Sequence, residues 1–255
     1  MSDASETKTG LVTWVQRATV FIALTYCTLF LPHDWVQFLA GREMVYETIG
    51  SAFFLLASVF FFRAWRAVPQ SADGVSDDSA ATSRARWRRI AYGCLTVLLF
   101  VACGEELSWG QHWLGFETPE AIKELNAQDE VNLHNLWLVD SYDADGGKKT
   151  GWKALLLNSN RLFDYFILTL LWGLPWAHRL FPILARWIDR FGGPVVQPIL
   201  GLPLLVSFVG TALTEAFLVD GMLSHLAVSE IRELSYALLC ALAAWSLWRK
   251  EEESL

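Results

Sequence analysis

Six apolar runs, each close to the length that crosses a lipid bilayer and most of them bordered by arginine, constrain this chain more than any other feature. About twenty helical residues span the hydrocarbon. A backbone placed there must satisfy its own polar groups, which a helix does internally. The runs extend from Leu11 to Leu31, from Met44 to Trp65, from the cluster Arg84, Arg86, Arg88 and Arg89 to Glu105, from Leu162 to His178, from Val195 to Val219, and from Glu230 to Trp248. The expected fold is therefore all-α, a polytopic membrane helical bundle of about six transmembrane helices forming a single membrane domain over residues 1–255. Composition agrees: 53% of the 255 residues are hydrophobic and only 18% charged, whereas an average soluble domain carries roughly a quarter charged residues.

An even number of spans puts both termini on one side. Arg63, Arg66, Arg84, Arg86, Arg88, Arg89, Arg179, Arg186, Arg190, Arg249 and Lys250 all fall on that side. By the positive-inside rule it is cytoplasmic. The polar stretch 1–10 is expected to be disordered, and the first run resembles a signal anchor more than a cleaved signal peptide, being too long and ending without a small-residue cleavage site. Residues 67–86 form a Ser/Ala/Asp-rich cytoplasmic linker, and residues 110–160 an extracytoplasmic loop that carries the main motif. The net charge of -7 gives no basic footprint for nucleic acid. Cys27, Cys94, Cys103 and Cys240 all lie in apolar runs, without a CxxC pair, and read as small hydrophobes.

The third run ends in two consecutive carboxylates, Glu105 and Glu106, at or within the bilayer edge. Ionisable groups at that depth are costly and are by default candidate functional sites. If the helix continues, Glu105, Ser108 and His112 share one face. A second polar cluster follows Pro119: Asn126, Gln128, Glu130, Asn132, His134 and Asn135. In the six-span topology, Glu47, Glu105, Glu106, His112, Glu130, His134, Asp164, Glu215, Asp220, His225, Glu230 and Glu233 all fall at the outer ends of spans or in the outer loops. A pocket open to the outer leaflet would need such a convergence.

Histidine with carboxylate is a ligand set for a divalent metal such as zinc, which would activate water or polarise a carbonyl or phosphoryl oxygen. The candidate ligands are Glu106, His112, His134 and His225, although HExxH is absent and Glu130 to His134 is ExxxH. Ser108, His112, His134 and His225 with a carboxylate resemble the alkaline ceramidase type of membrane hydrolase, whose terminal HxxxH is missing here. Simpler readings stand beside these. His112 and His134 would be interfacial residues bonded to loop carbonyls, Glu105 and Glu106 would pair with Arg161 or Arg232, Asn126, Asn132 and Asn135 would cap and turn a loop helix, and Trp109, Trp113, Trp137 and Trp152 would form an interface belt.

EELSWGQ (Glu105 to Gln111) followed by NAQDEVNLHN (Asn126 to Asn135) resembles an EExSWGQ…NxQxExNLHN pattern of bacterial multi-pass membrane proteins of no assigned activity. The resemblance covers about thirty residues and implies an integral protein of the bacterial inner (plasma) membrane. In that pattern the residue after the glutamine is often arginine. Here it is His112, which shifts weight toward Glu105, Glu106, Glu130 and His134.

The expected function is hydrolysis or transfer of a group on a lipid or lipid-linked substrate. Glu105 or Glu106 would act as general base or metal ligand, and His134 as ligand or acid. Ser108 and Glu130 belong to the same site, with Gln111 and Asn132 orienting substrate. Two other classes remain open. One is a proton- or cation-coupled transporter, favoured by Glu215 within a span containing proline and glycine. The other is a non-catalytic subunit docking through Leu114 to Asn160.

Overall fold

The structure, a computed structural model, describes residues 3–41, 44–69, 79–126, 130–140, 147–217 and 222–254, with side chains described except at 3–9, 79, 112 and 222–224. Every regular element among them is helical. In order they are α1 (Asp3–Cys27), α2 (His33–Ala40), α3 (Val45–Ala67), α4 (Ser79–Glu106), the short α5 (Gln111–Leu114), α6 (Glu120–Lys123) and α7 (Gly151–Leu156), then α8 (Ser159–Leu168), α9 (Leu174–Leu180), α10 (Pro182–Arg190), α11 (Gly201–Phe217) and α12 (Met222–Glu252).

Helix α12 is the axis of the bundle. Leu234 to Ala237 and Leu239 to Ala244 are buried without interruption, the mark of a helix surrounded on all sides. Alanines at 237, 241, 243 and 244 keep its profile narrow, and its main neighbour is α3. A methyl group on Gly50 of α3 would already touch the Leu234 backbone, 3.7 Å away. Such close approach through small residues is how helices gain dispersion contacts where surrounding lipid removes the hydrophobic drive. On α3 the buried positions Tyr46, Gly50, Phe54, Ala57, Phe61 and Ala64 form one seam at helical spacing. Helix α4 covers α3 from the other side, where Ser58 Oγ donates to the Thr96 carbonyl at 2.9 Å.

Side-chain bonds fix the remaining pairings. Tyr26 of α1 donates to the Ser207 carbonyl of α11 at 2.9 Å and lies 2.7 Å from Thr211 Oγ1. Gly210 gives that ring its room, since a Cβ there would stand 2.8 Å from it. Between α8 and α9, Thr169–Gly173 forms a π-helical turn. Pro175 explains it, because a residue without N–H cannot close the ordinary bond to Leu171.

Among the described residues, three helical stretches are long and apolar enough to cross a membrane: His33–Ala67, Ala80–Glu106 and Pro198–Phe217. A fourth is added if Ser159–Leu180 and α10, which meet at a 117° bend, count as one span. Helices α1 and α12, the expected first and sixth spans, do not meet that measure. Polar residues interrupt both, Gln16 and Arg17 in one and Glu230, Arg232 and Glu233 in the other. Large apolar side chains stand exposed in stripes, such as Leu55, Leu56, Val59 and Phe62 on α3 and Leu202, Leu205, Val209 and Leu213 on α11.

Several boundaries differ from expectation. Residues 3–10, expected to be disordered, continue α1, because extending an existing helix avoids the cost of a new nucleus. The end of the 67–86 linker, from Ser79, already belongs to α4, while 70–78 lie outside the described residues. Helix α12 starts at Met222 rather than Glu230.

Candidate functional site

The site is built where α4 stops. A continuous helix would have carried Glu105, Ser108 and His112 on one face, but the helix ends at Glu106 and the chain turns back through left-handed residues. Ser108, Trp109 and Gly110 have φ of 44°, 54° and 79°. Only glycine takes that region freely, and each of the other two costs about 1–3 kcal/mol unless its surroundings impose it. Here they do. Trp109 Nε1 donates to Glu105 Oε1 at 2.7 Å, Ser108 Oγ donates to Glu130 Oε2 at 2.9 Å, and Gly110 N donates to the Leu107 carbonyl at 2.8 Å. The Trp109 ring lies so close to Gly104 that a Cβ there would be 2.8 Å away.

The second half of the motif is threaded onto the first. Glu105 Oε2 accepts the backbone N–H of Leu133 at 2.5 Å and of His134 at 2.9 Å. His134 Nδ1 stands 3.5 Å from the same oxygen. Successive N–H groups curled round a carboxylate make an anion-binding nest. Val131 N donates to Gln111 Oε1 at 2.9 Å, and Gln111 Nε2 donates to Thr118 Oγ1 at 2.7 Å. Asn126 Nδ2 bonds both oxygens of Asn132, at 2.9 and 3.0 Å, and Asn132 Nδ2 donates to Glu130 Oε2 at 2.7 Å. Glu105, Ser108, Gln111, Asn126, Glu130, Asn132 and Asn135 are all buried. Glu105, Ser108, Gln111, Asn126, Glu130 and Asn132 each thus bond another residue of the pattern.

The rest of the loop hangs on Lys149. Its ammonium is buried and donates to the carbonyls of Trp137, Leu138 and Asp140 at 2.6, 2.9 and 2.7 Å, with the Leu157 carbonyl further off at 3.4 Å. Ser159 Oγ then ties the His134 carbonyl to the start of α8 at 3.2 Å.

Behind this wall lies a cavity of about 400 Å³. The motif contributes Glu105, Glu106, Ser108, Glu130, Asn132, His134 and Asn135. Three other helices bring further carboxylates to it: Glu47 on α3, Asp164 on α8, and Glu230 and Glu233 on α12. Phe54, Leu98, Val101, Ala102, Phe163 and Leu226 form an apolar side. Glu106 faces the field of Glu233, Glu47 and Glu105 and, unlike its neighbour Glu105, makes no hydrogen bond among the described residues. Arg232 also lines the cavity, and its buried Nε has no hydrogen-bond partner among the described residues. Asp164 accepts the Tyr236 hydroxyl at 2.9 Å, and Ser229 Oγ donates to Glu233 at 3.0 Å.

His134 lies on the loop, outside the helices. Burial disfavours its protonation, but the bond to Glu105 and the nearby carboxylates of Glu233 and Glu130 outweigh that and raise its pKa above the ordinary histidine value.

Of the expected site residues, Glu105, Glu106, Ser108, Glu130, Asn132 and His134 come together on this cavity, while Gln111 sits behind it holding the loop. His225 is exposed near the start of α12 and does not line it. The His112 side chain, Gln128 and Asp220 lie outside the described residues. Of the expected metal ligands, Glu106 and His134 line the cavity and His225 does not, and no group of three or more His, Cys, Asp or Glu among the described residues could hold a metal ion. Glu105 bonds the loop instead of pairing with Arg161 or Arg232, and Asn126 and Asn132 join to each other instead of capping a loop helix. Glu215 is exposed on α11, away from the cavity. Lys149 was not singled out by the sequence. A lone lysine among polar loop residues carries no signal of burial.

Comparison of the chain with protein-family models, with curated proteins and with solved structures finds no match.

Proposed function

We propose that this protein is a multi-pass membrane enzyme that hydrolyses or transfers a group on a lipid or lipid-linked substrate. The observation that carries the reading is Glu106, the motif carboxylate left without a hydrogen bond at the wall of a cavity that is polar on one side and apolar on the other. Glu106 serves as general base, taking a proton from water or a substrate hydroxyl. In this reading Glu47 and Glu233, whose charges act on Glu106, relay that proton. His134, held through Nδ1 by Glu105, keeps its proton to higher pH than a free histidine and gives it to the leaving group. Arg232 meets an anionic group of the substrate, and the apolar side of the cavity receives a hydrocarbon chain.

The membrane assignment is supported by the helices of spanning length and by their exposed apolar stripes, since soluble monomers rarely show such continuous apolar surface. The arginine distribution supports six spans with both termini cytoplasmic and the cavity on the outer side. The motif's resemblance to bacterial multi-pass proteins supports the inner membrane. Glu215, the residue that favours a transporter, does not line this cavity.

The test is conversion of a bacterial total lipid extract by the reconstituted protein, followed by mass spectrometry. The wild type should convert at least one lipid species, and Glu106→Gln should lower that rate by about 100-fold or more. Absence of any conversion by the wild type, or equal conversion by the variant, overturns the proposal.

A further inference from the structure

At the end of the bundle opposite the carboxylate cavity, the start of α4, the end of α12 and the turn after α10 enclose a second cavity of about 530 Å³. Its charged lining is mainly basic, from Arg84, Arg88, His178 and Lys250. Its two carboxylates are already engaged. Glu251 is held by Arg88 at 3.1 Å and by the Tyr92 hydroxyl at 2.9 Å, and Asp189 by His178 Nε2 at 2.8 Å. Arg84 and Lys250 are exposed and have no ion-pair partner among the described residues.

Beside this cavity lies α10, turned through 117° from α9 so that it runs across the end of the bundle. Ile183, Leu184, Trp187 and Ile188 fall on one side of it and Arg186, Asp189 and Arg190 on the other. Ile183 is 64% and Trp187 52% exposed. The Arg190 guanidinium lies 5.6 Å above the Trp187 ring, Phe191 stacks on that ring at 5.8 Å, and Trp87 of α4 meets Phe191 edge-on at 5.9 Å. A short helix with an uncovered apolar face, a basic border and aromatic ends has the make-up of one lying in the membrane interface. Gly192 follows with φ of 60°, its α-carbon so close to α4 that a Cβ would stand 2.6 Å from the Arg84 carbonyl. The interfacial face and the basic cavity are thus joined at one turn.

We propose that this cavity binds the phosphate headgroup of an anionic phospholipid, whose chains lie along the exposed Trp187, Phe191 and Trp87 surface. Arg84 and Lys250 supply the cations that Glu251 and Asp189 do not neutralise. Basic pockets between helices on the cytoplasmic side select such headgroups, and a phospholipid satisfies both the charged cavity and the apolar face, which a free anion does not. The proposal rests on the membrane assignment and not on any chemistry in the carboxylate cavity, so failure to find lipid turnover leaves it standing.

The test is native mass spectrometry of the full chain taken from mixed micelles of phosphatidylglycerol and phosphatidylcholine, beside the double variant Arg84→Gln, Lys250→Gln. Both positions are exposed, so folding does not depend on them, and circular dichroism checks this. The wild type should retain phosphatidylglycerol over phosphatidylcholine, and the double variant should lose affinity for it by roughly 30-fold. Equal retention of the two lipids by the wild type, or unchanged retention by a folded variant, overturns the proposal. Displacement of the lipid by millimolar inorganic phosphate would assign the site to a free anion and likewise overturn it.

Discussion

Glu105 and Glu106 sit side by side yet meet different surroundings, because successive helical residues diverge by about 100° around the axis. Glu105 turns to the loop and is bonded by Trp109, Leu133 and His134, whereas Glu106 turns to Glu47 and Glu233. His134 responds to the first of these. Its folded pKa is raised, so the stability it adds is fully present below the ordinary value of about 6.5 and disappears as pH rises through the raised folded value. The melting temperature of the wild type should therefore exceed that of His134→Gln most in acid and converge with it at alkaline pH; a gap that widens toward alkaline pH would contradict the assignment. That the two glutamates border a polar cavity was legible in the sequence, because an apolar run broke off in two charges. Which one holds the loop was not, since that depends on N–H groups 28 and 29 residues further on.

The element that gives the site its shape is the reversal after α4, and its weakest tolerance is at Gly104. A methyl group there would stand 2.8 Å from the Trp109 ring, and the ring cannot withdraw without breaking its bond to Glu105. Gly104→Ala should therefore loosen the loop. Hydrogen exchange would show it as a loss of protection at the Leu133 and His134 amides of about tenfold or more, and unchanged protection would mean the turn does not depend on this packing. Periodicity and length foretold the long helices, because burial and lipid exposure act on a stripe of residues. They did not foretell the turn or α10. The turn arises from side-chain bonds between segments distant in sequence, and α10 reads in sequence only as a basic connection until Pro182 sets its start. The arrangement of 137–140 likewise depends on Lys149 gathering three of their carbonyls, which no periodic pattern records.

Across the whole molecule, helices α3, α4, α8 and α12 hold six carboxylates around one cavity, while the motif's remaining polar groups hold the loop that closes it. The folding role and the proposed chemistry therefore fall to different residues of the two segments EELSWGQ and NAQDEVNLHN. Replacing Glu105 leaves three donors facing a weaker acceptor, a loss of about 3 kcal/mol. Replacing Glu106 removes repulsion from Glu47 and Glu233 and breaks no bond. The decisive measurement is the melting temperature and the lipid-converting rate of Glu105→Gln and Glu106→Gln side by side. The account predicts that Glu105→Gln melts roughly 5 to 10 °C below the wild type, while Glu106→Gln melts no lower than the wild type and has lost its activity. A Glu106→Gln protein that unfolds early, or one that is stable and fully active, would contradict it.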